Sequence, residues 1–73
     1  MNKRFFIEFI DVLGRRGKYG YFNDAQKLID NFESIIKKQD IITVFINKEF
    51  CNINSKYIVS YRLEEEELLI LKD

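Results

Sequence analysis

The residues best suited to contact another molecule lie in one short segment, residues 14–21, with the sequence GRRGKYGY. Arginine donates paired hydrogen bonds to phosphates and carboxylates, and tyrosine stacks on bases or anchors a protein interface. Glycine permits positive φ angles and a close approach of the backbone. The segment is therefore a predicted partner-binding site, and its candidate contact residues are Arg15, Arg16, Lys18, Tyr19 and Tyr21.

The glycine spacing of this segment does not match a Walker A phosphate-binding loop. That motif has four residues between its glycines and a Ser or Thr after its lysine, whereas here Arg15 and Arg16 alone separate the first two glycines and Tyr19 follows Lys18. The GxxG spacing equals that of a KH-type RNA clamp, but such a loop joins two helices and residues 18–22 are a poor start for a helix. A solvated hairpin loop, a protein-binding loop and a nucleic-acid contact stay open as alternatives.

A second charged feature is a run of consecutive glutamates near the end of the sequence. It is a candidate secondary acidic surface, made of Glu64, Glu65, Glu66 and Glu67. Such a run would attract a basic partner, although charge without apolar contact adjusts the association rate more than the affinity. The structural alternative is a solvated turn or the start of a helix, where acidic side chains interact favourably with the helix dipole. Adjacent residues of a strand do not converge on one point, so we do not expect metal binding.

Catalytic chemistry is disfavoured by the residues that the chain lacks. The sequence contains no His, so Ser34, Ser55 and Ser60 have no imidazole to act as a general base. A reactive thiolate needs a histidine, a nearby cation or a helix N-terminus, and the sequence around Cys51 offers no cation. We therefore expect no catalytic residues, no cofactor and no metal, and we do not expect an enzyme.

Length and composition bound the architecture. A chain of 73 residues has room for one hydrophobic core and therefore for one domain. Hydrophobic residues at 47% and charged residues at 33% are typical of globular proteins, and the net charge of +0 disfavours a strongly basic DNA-binding protein or an acidic DNA mimic. A core of this size supplies only about 3–5 kcal/mol of stability. Because a single cysteine cannot form an internal disulfide, homodimerisation or a stabilising partner is the remaining route to added stability. Aromatic residues make up 15% of the chain and bury large areas, so a self-sufficient monomer is the alternative.

The predicted compartment is the cytoplasm. Glu8 and Asp11 interrupt the apolar run near the start, so it does not resemble a complete signal peptide, and no stretch has the roughly 18 apolar residues of a membrane span. A single cysteine agrees with a reducing environment. Ile, Lys, Asn, Phe and Tyr, which have AT-rich codons, are abundant, and this points to a low-GC bacterium or to a phage or mobile element of one.

The clearest predicted element is an amphipathic helix at residues 23–39. Asn23 or Asp24 can cap its first turn, and Lys37 and Lys38 in its last turn interact favourably with the helix dipole. Apolar residues at helical spacing form one face: Ala25, Leu28, Ile29, Phe32, Ile35 and Ile36. We expect this face to pack against the core, with Phe32 as its central anchor.

Strands are predicted after this helix. Residues 41–46 are mostly β-branched or aromatic. Asn47 and Lys48 suit a two-residue hairpin turn that returns the chain as a strand at residues 49–53. Alternating apolar and polar residues predict a further, half-buried strand at residues 57–63.

Two segments allow alternatives. As a helix, residues 3–13 have one apolar face, and Gly14 would terminate it; as a strand, they carry apolar residues on both faces. The aromatic and β-branched content favours the strand, followed by a turn at residues 15–17 and a return strand at residues 18–22. Residues 68–71 suit either a last strand or the end of a helix that begins in the glutamate run.

Together these elements predict a small α+β domain in which one long helix packs on an antiparallel sheet. The expected order is ββαβββ, with the last strands forming a meander, and the alternative is two helices followed by a β-meander. A strand that is apolar on both faces needs a packing partner on each face, and one helix supplies only one of them. The strand alternative therefore also favours a symmetric dimer.

The functional expectation is a non-enzymatic protein-binding module. The size and composition are typical of a phage or mobile-element protein that inhibits or modulates a host complex, such as a bacterial defence system in the manner of an anti-CRISPR protein, although no motif identifies one. The alternative is a small nucleic-acid-binding regulator that uses the segment from Arg15 to Tyr21. No membrane partner is expected.

Overall fold

The computed structural model describes residues 3–67, which form one α-helix and a five-stranded antiparallel sheet. The helix α1 (Ala25–Lys38) lies between the second and third strands, and a short 3-10 turn (Ser55–Tyr57) precedes the last strand. The strands are β1 (Lys3–Asp11), β2 (Arg16–Phe22), β3 (Ile41–Ile46), β4 (Glu49–Asn54) and β5 (Ile58–Glu67). The predicted α+β class and the order ββαβββ are confirmed. No helix within residues 3–67 has the length and apolarity needed to cross a membrane.

β1 is the segment for which the sequence allowed both a helix and a strand, and it is a strand. Ile7 and Phe9 are buried on the side of the sheet that faces α1, while Glu8 and Ile10 point to the opposite side. In the strand order β4-β3-β2-β1-β5, β1 has a neighbour on each edge, so both edges of its backbone find hydrogen-bonding partners. The alternative with two helices is therefore wrong.

β5 does not continue the hairpin of β3 and β4 as the predicted meander required. It pairs antiparallel with β1 instead, with Phe9 opposite Tyr61 and Ile7 opposite Leu63. The 3-10 turn connects the end of β4 to the start of β5. Within this turn, the carbonyl of Tyr57 accepts the backbone N–H of Val12 at 2.8 Å. The meander is wrong because β1 offers β5 a long, otherwise unpaired edge.

The glutamate run is part of β5, which corrects the expected turn or helix start. Glu64, Glu65 and Glu66 continue the ladder with β1, and Lys3 Nζ lies 3.7 Å from the carboxylate of Glu65. The cations at the start of β1 thus offset the acidic end of β5, and the backbone pairing extends to Glu67. The prediction for residues 68–71 lies outside the described residues.

The predicted helix is confirmed, with bounds slightly inside those expected. The Asp24 side chain caps it by accepting the backbone N–H of Lys27 at 3.2 Å. The helix ends at Gln39, which has a φ of 54° and donates its N–H to the last turn. Leu28 and Phe32 are fully buried, which confirms Phe32 as an anchor of the core.

The core lies between α1 and the sheet. Its buried apolar residues come from β1, α1 and β3: Ile7, Phe9, Leu28, Phe32, Ile42, Val44 and Ile46. The Phe32 ring lies 4.7 Å from that of Tyr61 and 5.5 Å from that of Tyr19, measured between centroids. Cys51 is half-buried on the same side of the sheet and packs against this cluster.

The two hairpin turns differ in how well the sequence located them. Asn47 and Lys48 have φ angles of 53° and 65°, which confirms the predicted two-residue turn between β3 and β4. The first turn lies earlier than expected, because β2 already begins at Arg16. The carboxylate of Asp11 decides its position by accepting the backbone N–H groups of Leu13 and Arg15, each at 2.9 Å.

Candidate binding surface on the open face of the sheet

One face of the sheet is covered by α1, and the opposite face, here called the outer face, is covered by no element among residues 3–67. Side chains alternate between the two faces along a strand, and the buried residues of each strand point to the helix. The residues between them therefore point to the outer face. The outer face carries Phe6 and Ile10 from β1, Lys18 from β2 and Phe45 from β3.

Four aromatic side chains and one lysine form a continuous group on this face, here called the outer patch. Its members are Phe6, Lys18, Tyr21, Phe45 and Phe50. The ring centroids of Phe6 and Tyr21 are 5.5 Å apart, and those of Phe45 and Phe50 are 5.0 Å apart. Lys18 connects the two pairs, since its Nζ lies 5.0 Å from the Phe6 centroid and its backbone pairs with Phe45.

The outer patch is accessible to a partner. Phe50 is 78% exposed and Tyr21 is 50% exposed. A groove of 430 Å³ lies between them, with Thr43, Gly20 and Phe45 in its lining. An exposed aromatic group of this kind on a small domain is typical of a binding surface.

Positive charge is concentrated beside the outer patch. Arg16, Lys18 and Lys48 line a neighbouring groove of 250 Å³ together with Glu8. None of these three cations forms an ion pair with an acidic side chain of the described residues, whereas Glu8 binds Arg62 at 3.3 Å. Cations that no acidic side chain of the described residues neutralises are available to carboxylates or phosphates of another molecule.

The structure divides the predicted contact segment between two sides of the molecule. Arg16, Lys18 and Tyr21 lie on the outer face and belong to one surface. Tyr19 points the other way and is half-buried against Phe32. The segment is therefore a strand inside the sheet, and three of its five candidates share an exposed surface.

Arg15 is held in the first turn by an ion pair. Its Nε donates to Oδ2 of Asp11 at 2.7 Å, and its backbone N–H donates to Oδ1. The Asp11 carboxyl is 2% exposed. Burial would raise the pKa of Asp11, but the hydrogen bonds from Arg15 and Leu13 and the charge of Arg15 outweigh it, so the pKa is lowered. Arg15 therefore stabilises the turn.

Gly17 has a packing role that the sequence did not indicate. A Cβ atom at this position would lie 2.8 Å from Cε1 of Phe9 and 2.8 Å from Cγ1 of Ile46. Phe9 is the residue opposite Gly17 in the ladder between β1 and β2. The missing side chain thus makes room for the Phe9 ring in the core.

The predicted acidic surface is not a single surface. Glu64 lies on the outer face, where its carboxylate forms an ion pair with Arg62 Nε at 2.6 Å, and Glu65 lies on the helix side near Lys3. Glu66 is exposed opposite Arg4, and the side chain of Glu67 is outside the described part. Within residues 3–67, no group of three or more acidic or cysteine side chains is arranged to hold a metal ion.

The aromatic residues outside β2 were missed as candidates at the sequence level. Phe45 and Phe50 flank the predicted turn of Asn47 and Lys48, and a two-residue hairpin places them directly opposite each other. That pairing was therefore deducible. The place of Phe6 in the outer patch was not deducible, because its position beside Tyr21 depends on the pairing of β1 with β2.

Comparisons with protein-family models, with curated proteins and with solved structures found no match to this chain.

Proposed function

We propose that this chain is a non-enzymatic protein-binding module and that the outer patch contacts the partner. The observation that supports the proposal is the exposure of Phe50 and Tyr21, at 78% and 50%, on a sheet face that nothing in residues 3–67 covers. Exposed aromatic side chains flanked by Arg16 and Lys18 are the residue types that dominate binding energy at protein interfaces.

We further propose that the module acts in the cytoplasm and inhibits or modulates a host complex, as a phage or mobile-element protein directed at a bacterial defence system would. The support is compositional: the chain is short, rich in residues with AT-rich codons and without histidine. A rigid sheet face can block another protein's surface without any chemistry of its own.

A nucleic-acid-binding regulator is the second candidate, and one observation favours it. Lys18 lies over the Phe6 ring, and Arg16 and Lys48 border the same surface without an acidic partner among the described residues. Aromatic faces beside cations bind single-stranded nucleic acid through stacking and phosphate contacts.

The decisive experiment is a pull-down with the tagged chain from a bacterial lysate, with and without nuclease treatment. The test variant is Tyr21→Ala combined with Phe50→Ala. The matched control is Tyr57→Ala, because Tyr57 is 46% exposed and lies outside the outer patch, with its ring centroid 5.3 Å from Lys56 Nζ.

The proposal requires a protein that is captured after nuclease treatment, lost with the double variant and retained with Tyr57→Ala. Capture that disappears on nuclease treatment and falls steeply with salt would support the nucleic-acid candidate instead. A captured protein that is retained equally by both variants would contradict the role of the outer patch.

A further inference from the structure

β5 is the last strand in the sheet order, and among residues 3–67 no strand pairs with its outer edge. It is also the longest strand, running from Ile58 to Glu67. A long strand with a free edge offers a row of backbone donors and acceptors to a further strand. The outer patch is centred on β2, β3 and β4 and does not involve this edge.

The side chains of β5 on the helix side are incompletely covered. Tyr61 and Leu63 point to the same side as the core, since they lie opposite Phe9 and Ile7 of β1. They are nevertheless 46% and 41% exposed, because α1 packs mainly over β1 and β2. An apolar strip therefore accompanies the free edge.

The charges of β5 are self-complementary in one symmetric register. When two copies of β5 pair antiparallel with Leu63 opposite Leu63, each Arg62 lies opposite Glu64 of the second copy. In the same register Glu65 lies opposite Tyr61 and Glu66 opposite Ser60, so no two acidic residues oppose each other. A register centred on Arg62 or on Glu64 would instead oppose two identical charges, which destabilises strand pairing.

We propose that two copies of this chain associate through β5, antiparallel about a two-fold axis beside Leu63. The pairing joins the two sheets into one continuous sheet and places Tyr61 and Leu63 of both copies in a shared apolar cluster. It also gives the glutamate run a role, because registers centred on Glu64, Glu65 or Glu66 would each oppose two identical charges. Both outer patches stay uncovered in this dimer.

Sedimentation equilibrium of the wild-type chain and of Leu63→Lys tests the association. The wild type is expected at twice 8.8 kDa at tens of micromolar. Leu63→Lys is expected at the monomer mass with an unchanged circular dichroism spectrum, since Leu63 is partly exposed in the single chain and the variant places two lysines at the axis. A monomeric wild type, or a Leu63→Lys variant that stays dimeric, overturns the proposal.

Cysteine cross-linking tests the register in a Cys51→Ala background. Leu63→Cys places two thiols on residues that face each other across the axis, with Cβ atoms about 5 Å apart, and is expected to form a covalent dimer on mild oxidation. The matched control is Tyr61→Cys, where the two thiols would be roughly 13 Å apart along the strands. Cross-linking of Tyr61→Cys as fast as that of Leu63→Cys overturns the register.

Discussion

Tyr19 and Tyr21 are two positions apart on β2, yet their side chains lie on opposite faces of the sheet. The Tyr19 ring lies 5.5 Å from Phe32 in the core, and the Tyr21 ring lies 5.5 Å from Phe6 on the outer face. A regular strand places residues i and i+2 on the same face. The alternation is therefore reversed between these two tyrosines.

The reversal occurs at Gly20. The register between β1 and β2 shifts between Phe5 and Ile7, and Gly20 has a φ of 67°. A β-bulge with glycine in the left-handed region inserts one extra residue into a strand and turns the next side chain over. This bulge makes Tyr21 available to a partner while Tyr19 stays in the core.

The two tyrosines should consequently respond differently to truncation. We expect Tyr19→Ala to lower the free energy of unfolding by about 1–3 kcal/mol because it opens space beside Phe32. We expect Tyr21→Ala to lower it by less than about 1 kcal/mol, because that change removes only an exposed aromatic contact. Urea denaturation of both variants measures the difference. A larger loss for Tyr21→Ala than for Tyr19→Ala would show that the faces are assigned wrongly.

Gly17→Ala tests the close approach of Phe9. The added methyl group collides with Phe9 and Ile46, and we expect overpacking to reduce the free energy of unfolding by about 1–3 kcal/mol. Phe9→Leu in the Gly17→Ala background should recover part of this loss, since the shorter side chain vacates the space. The control is Phe9→Leu with Gly17 unchanged, which measures the cost of the shorter side chain alone. If Phe9→Leu is equally costly in both backgrounds, the two residues are not coupled.

The Asp11–Arg15 pair predicts an acid-dependent loss of stability. The pKa of Asp11 is lowered in the folded chain, so the ionised carboxylate stabilises the fold above its unfolded pKa of about 3.9. This contribution is lost as the pH falls through the folded pKa. Asp11→Asn should cost about 1–3 kcal/mol at neutral pH, and its difference from the wild type should shrink on acidification. The free energy of unfolding measured from neutral pH to about pH 2 tests this, and a constant difference would contradict it.

Phe32→Ala should leave the chain largely unfolded at physiological temperature. Removing a fully buried phenylalanine costs about 3–5 kcal/mol, which is comparable to the whole stability expected of a domain this small, about 3–5 kcal/mol. Thermal melting followed by circular dichroism measures the effect. Ser34→Ala is the control, because Ser34 is exposed on the same helix. An unchanged melting temperature for Phe32→Ala would contradict the role of Phe32 as an anchor of the core.

Local patterns were sufficient for the elements that depend on nearby residues. The helix α1 follows from apolar residues three and four apart and from the Asp24 cap, and both operate within one or two turns. The hairpin turn at Asn47 and Lys48 follows from two adjacent residues that tolerate positive φ. These features require no knowledge of what lies across the sheet.

The sequence by itself thus determined the helix, the second hairpin and the apolar face that carries Phe32. Tertiary structure decided the rest, because strands exchange hydrogen bonds with residues far away in the chain. The pairing of β5 with β1 makes the glutamate run part of a strand, and the bulge at Gly20 places Tyr19 and Tyr21 on opposite faces. A strand can present either face to a core, and long-range register alone selects which side chains remain available to a partner.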